Sequence, residues 1–137
     1  MDAVAAYYDW IRRLVNFFII ELEEIYGTKF DRDEEMTLGA TDHSKQMMLK
    51  GYPYKIIGEF TGPILFEKIE FVQDGIAFYN QSSIEQTLKR MLYDILNSIS
   101  PNFRPCIKNY RFIGVGIALR ELHGEIFLYA TLRLRLE

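Results

Sequence analysis

FIGVGIALRELHGEIFLYATLRLR, residues 112–135, alternates aliphatic residues with others on both sides of His123-Gly124. Alternation with period two is the mark of a strand with one buried face, and two such runs around a His-Gly pair predict a β-hairpin, because glycine tolerates the positive φ of a tight turn. A two-residue loop fixes the register. Leu122 then faces Glu125, Leu119 faces Leu128, Ile117 faces Ala130, Val115 faces Leu132 and Ile113 faces Leu134, which makes one face wholly aliphatic. The other face carries Phe112, Gly114, Gly116, Phe127, Tyr129, Thr131, Arg133 and Arg135, too aromatic to be simply solvated. A helix lying on the flat Gly114-Gly116 surface would cover it. That predicts an α+β fold with helices on both sides of a central antiparallel sheet, a three-layer α/β/α sandwich closed by a C-terminal hairpin.

Upstream of the hairpin the period changes to that of helices. Ile84, Leu88, Met91, Leu92, Ile95 and Ile99 form one face of a helix that Ser82 and Glu85 open as a capping box and Pro101 ends. A second helix runs through Met36, Ala40, His43 and Met47 to Gly51, with Asp31 and Glu34 as its capping pair. The first helix is long: Val4, Tyr7, Tyr8, Ile11, Leu14, Val15, Phe18, Leu22 and Ile25 follow i, i+3, i+4 spacing, and Gly27 stops it. Between Tyr52 and Tyr79, Pro53, Gly58, Gly62, Pro63 and Gly75 break any period, so loops, a short turn at Leu65 to Phe71 and short strands are expected. No repeat or linker divides the chain, and residues 1–137 read as one domain.

Composition narrows the function. A formal net charge of −3 gives no general attraction to phosphate backbones, so nucleic acid is not an expected partner. Cys106 is the one cysteine; it permits no intramolecular disulfide or thiolate zinc cluster and reads as a small buried thiol. Asp9, Arg12, Arg13, Glu21, Glu23 and Glu24 interrupt the apolar first helix too often for a transmembrane segment. No signal-peptide layout precedes it, so the expected location is cytoplasmic, or secreted if a signal segment has been removed.

Several blocks in order resemble a known family. Ser100-Pro101-Asn102-Phe103-Arg104-Pro105-Cys106-Ile107 followed by Gly114-Val115-Gly116 is similar to the Ser-Pro-x-His-Arg-x-Asn-Ile and Gly-Val-Gly blocks of the CAP superfamily, which includes cysteine-rich secretory proteins, venom allergens and plant pathogenesis-related proteins. Ala40 to Met47 resembles its second-helix block, Gly51 to Lys55 the loop that normally ends in His, Asp74-Gly75-Ile76-Ala77 its Glu-Asn-Ile-Ala, and Ser83 to Met91 its helix leading to a Trp, with Asp94 three residues beyond Met91. The resemblance implies the same α/β/α sandwich and a cleft lined by two His and two acids. Lys55 and Phe103 stand where the two His should be. Neither offers an imidazole lone pair, so no cofactor or zinc is expected, and the degraded cleft keeps Asp74 and Asp94 alone.

The remaining constellations are weak. His43 and His123 have no Ser/His/Asp or Cys/His set, and Gly114-Val115-Gly116 does not open a helix as a phosphate loop must. Asp31, Asp33, Glu34 and Glu35 suit a solvated first helical turn. Arg133 and Arg135 beside Phe127 and Tyr129 have the composition of a base-stacking platform, but arginines at the end of a final strand more commonly shield its edge. The expected function is a non-enzymatic binding or interaction module for a small amphipathic ligand or protein partner. In its cleft Phe103 would be an apolar wall, Lys55 a counter-charge, and Asp74 and Asp94 acceptors. The alternatives are a metal-independent hydrolase using Asp74 and Asp94 as acid and base, and a structural homo-oligomer joined through the last strand or through Trp10, Phe17 and Ile20 of the first helix.

Overall fold

A computed structural model of the chain describes residues 3–50, 64–71, 76–77, 81–97, 101–102, 104–122 and 125–135. In chain order these form α1 (Ala3–Tyr26), β1 (Asp31–Arg32), α2 (Glu34–Lys50), β2 (Ile64–Phe71), β3 (Ile76–Ala77), α3 (Gln81–Asn97), a short 3-10 helix (Arg104–Asn109), β4 (Phe112–Leu122) and β5 (Glu125–Arg135). The sheet order is β1-β4-β5-β2, with β3 pairing β5 near its start. β4 and β5 form the hairpin in the register that a two-residue turn dictates, from Leu122↔Glu125 through Val115↔Leu132 to Ile113↔Leu134. All pairings are antiparallel except β1 with β4, a short parallel contact.

Each sheet face is covered by helix. Ile113, Val115, Ile117, Leu128, Ala130, Leu132 and Leu134 bury their side chains against Leu14, Phe18 and Leu22 of α1 and Ile84, Leu88, Met91 and Ile95 of α3. Losing one such large side chain costs about 2–5 kcal/mol. On the other face α2 lies so close that a Cβ on Gly114 would fall 2.6 Å from the Met36 backbone, and one on Gly116 would collide with the backbone of Ala40 and Thr41. Ser44, buried in that seam, donates to the Gly116 carbonyl at 2.8 Å and shares a hydrogen bond with the Thr131 hydroxyl at 2.9 Å. The three-layer sandwich follows from two residue choices in one strand, aliphatic on one face and glycine on the other.

Several local expectations are corrected. Asp33 caps α2 in place of Asp31: its Oδ1 accepts the Met36 amide at 2.8 Å, while Asp31 and Arg32 are drawn into β1 beside Phe112 and Ile113. Ser82 lies within the first turn of α3 (Gln81–Asn97), while the stretch between Asn97 and Pro101, where the sequence predicts the helix end, lies outside the described residues. Leu65 to Phe71 belong to strand β2, because pairing with β5 supplies hydrogen bonds that a local turn would otherwise make. Cys106 is exposed, since the 3-10 turn directs Ile107 inward and Cys106 outward. Gly27 ends α1 with φ of 62°. There the Thr28 amide reaches back to the Glu23 carbonyl at 3.1 Å, and the buried Glu23 carboxylate accepts the Phe30 amide at 2.9 Å. The buried face of α1 covers only part of the expected stripe: Val4, Tyr7, Tyr8 and Ile25 are exposed, and burial runs from Leu14 to Glu23.

Candidate functional site

Of the four residues expected to line a cleft, Lys55, Asp74 and Phe103 lie outside the described residues, as does His123. Asp94 is exposed on α3, between Leu92 and Ile95 that face the core. His43 is buried within α2 and makes an interaction there. Among the described residues no three His, Cys, Asp or Glu side chains gather as a metal would require, and no helix is long and apolar enough to cross a membrane.

The arginines of the last strand are occupied by the fold. Arg135 donates to Asp33 at 3.1 Å and Arg111 to Asp31 at 3.2 Å, while both guanidinium groups sit over the Phe112 ring, 4.7 and 4.9 Å from its centre. Arg133 lies under α2, where a Cβ on Gly39 would collide with its guanidinium. Tyr129 is buried and Phe127 half-buried against Met47 and Met48. The ring faces that a base would stack on are therefore consumed by α2.

Three concavities are lined by described residues. One, of about 540 Å³, surrounds the end of α1 at Ile20, Glu23, Glu24, Gly27, Thr28 and Lys29; its central polar groups already serve the helix cap described above. A second runs along Ser83, Gln86, Thr87 and Arg90 of α3, and the Thr87 hydroxyl is turned back to the Ser83 carbonyl at 2.8 Å. The third is a groove of about 230 Å³ built from all three layers. Tyr7, Tyr8 and Ile11 of α1 form one wall, Thr41, Lys45, Met48 and Leu49 of α2 the other, and Ile117, Ala118 and Leu119 of β4 the floor. Because α1 and α2 lie on opposite sheet faces, a groove touching both crosses the edge of β4.

The rims of this groove are apolar and open to water. Tyr7 is 41 %, Tyr8 51 % and Leu49 79 % exposed. The rings of Tyr7 and Tyr8 meet edge to face with centres 5.6 Å apart. Partial burial, then the neighbouring Tyr8, push the Tyr7 phenol above its ordinary pKa, so it remains a neutral donor and acceptor near pH 7. Lys45, exposed on α2, supplies an ammonium. The arrangement can enclose an apolar body and meet a negative group at its rim.

These residues were readable only in part. Met48 and Leu49 fall out of phase with the Met36, Ala40, His43, Met47 stripe, and that break in period is a signal of apolar surface kept for something other than the core. Tyr7 and Tyr8 gave no such signal, since they lie in phase with the buried half of α1. Compared with known proteins, the chain matches no family model and no curated protein.

Proposed function

We propose that this protein is a non-enzymatic binding module on a CAP-like sandwich, taking a small amphipathic molecule or a segment of a partner protein. One observation carries the reading: an apolar groove lined by three layers, with two tyrosines and a lysine at its rim, in a domain whose Arg111 and Arg135 are tied to Asp31 and Asp33. Pockets for small ligands are mostly apolar with a few polar groups that fix orientation. The cleft of Lys55, Asp74, Asp94 and Phe103 remains part of the proposal through the resemblance. Hydrolysis by an Asp74/Asp94 pair draws no support from Asp94 standing exposed on α3. A structural homo-oligomer is the remaining alternative.

The groove is tested with anilinonaphthalenesulfonate, a fluorescent anionic amphiphile. Saturable fluorescence gain is expected from the cooperatively folded protein, weakened by Tyr8→Ala or Met48→Asp and unchanged by Ser83→Ala on the far helix. Equal binding by all four proteins would remove the groove from the account. The CAP-like part has its own check: Lys55→His with Phe103→His should gain zinc binding and a zinc-dependent rise in Tm that neither single change gives. Tight zinc binding by the unchanged protein would contradict the degraded-cleft reading.

A further inference from the structure

β1 borders β4 only at Phe112 and Ile113. Successive peptide groups of a strand point to alternate sides, and the Ile113 carbonyl accepts the Asp33 amide at 2.9 Å on the β1 side. The odd-numbered residues of β4 therefore direct N–H and C=O away from β5. The turn agrees, because Leu122 and Glu125 close a two-residue hairpin and must bond to each other. Val115, Ile117 and Leu119 thus carry a row of donors and acceptors that no strand pairs among the described residues. Natural edges are commonly blocked by charge or proline. On β4 the charged Arg120 and Glu121 come only after Leu119.

Two features of the groove specify what covers this edge. An acyl chain or ring laid on the floor would shut peptide groups from water without replacing their hydrogen bonds, whereas an extended backbone supplies the missing partners. The second feature is charge: Lys45 has no ion-pair partner among the described residues, and it stands on the rim where a strand on the β4 edge would pass. At about 230 Å³ the groove is also smaller than the ~300–1,000 Å³ of pockets that enclose whole small ligands. It suits a few residues of a longer segment. We infer that the β4 edge from Val115 to Leu119 accepts an extended segment of another polypeptide as an added strand, with Lys45 pairing an acidic side chain in that segment. This rests on the binding-module reading and narrows its ligand. A second copy of this chain fits less well, because antiparallel pairing of two β4 edges about Ile117 or Leu119 brings the two Lys45 side chains onto one side near the axis, like charge against like.

The test uses the full chain and a short capped peptide alternating valine and threonine around one glutamate. Fluorescence anisotropy should give saturable binding, and amide exchange at Ile117 and Leu119 should slow. Replacing the peptide glutamate by glutamine should weaken binding about two- to fivefold, the range for an exposed ion pair. Lys45→Glu, at an exposed position, should abolish the preference for glutamate. N-methylation of alternate peptide amides keeps the side chains, deletes the donors facing β4, and should remove binding altogether. Undiminished binding of the N-methylated peptide, slowed exchange only at sites away from β4, or self-association through β4 in place of peptide uptake would each overturn the inference. If the sulfonate probe binds the groove and no peptide does, the added-strand inference fails alone. If neither binds, the binding-module reading fails with it.

Discussion

At its start β4 is bordered by β1, and Arg111 and Arg135 fold over Phe112 while pairing with Asp31 and Asp33. Further along, the same strand runs out between Tyr8 of α1 and Met48 of α2, with its outer peptide groups unpaired by any strand among the described residues. The two ends are built from the same layers and differ in what their polar groups do. At the closed end, acids and arginines are spent on joining β1, α2 and the hairpin. At the open end, apolar side chains exceed what the core requires, and Lys45 has no ion-pair partner among the described residues. An end that is cross-linked contributes stability, and an end that is left open is where a ligand can supply the missing contacts.

The largest effect should come from the seam that both ends share. Gly116→Val puts a Cβ into the backbone of Ala40 and Thr41, so α2 must lift from the sheet, and a loss of about 3 kcal/mol or more, or no folded protein, is expected in urea unfolding. Near-native stability for Gly116→Val would mean that α2 does not lie on the sheet and that neither end is as described. The next effect should lie at the closed end. Asp33→Ala removes the α2 cap and the Arg135 partner together, for an expected loss of ~1–2 kcal/mol. At the open end Tyr8→Ala should change stability by less than about 0.5 kcal/mol, as substitutions at exposed positions usually do, while weakening ligand binding. If Tyr8→Ala costs as much as Asp33→Ala, the open end is structural and the contrast collapses.

The hairpin and its helical cover were legible because both depend on patterns that a sequence states directly. Period two with a His-Gly turn leaves one register, and Gly114 and Gly116 admit a helix where any side chain would exclude it. Periodicity reports which face of a helix is apolar, but not where along its axis the neighbouring layer ends. Tyr7 and Tyr8 share their phase with Leu14 and Phe18, and only the extent of the sheet and α3 separates exposed rim from core. The cap was misread for a related reason. Asp31 and Asp33 are both acids ahead of the helix, and the choice between them was made by a parallel contact with residues eighty positions later, Phe112 and Ile113. Cys106 was misplaced because one residue of rotation in a 3-10 turn decides whether it or Ile107 faces inward.

Amide hydrogen exchange along β4 in the free protein tests the account most directly, since it reads the two ends in one strand under one condition. Ile113, whose amide faces β1, should be protected together with the even-numbered residues that bond to β5. Ile117 and Leu119 should exchange much faster than these neighbours. Added peptide should bring them toward the protection of Ile113. Protection of Ile117 and Leu119 equal to that of Ile113 in the free protein would contradict the open edge, and with it the site on which the proposed binding rests.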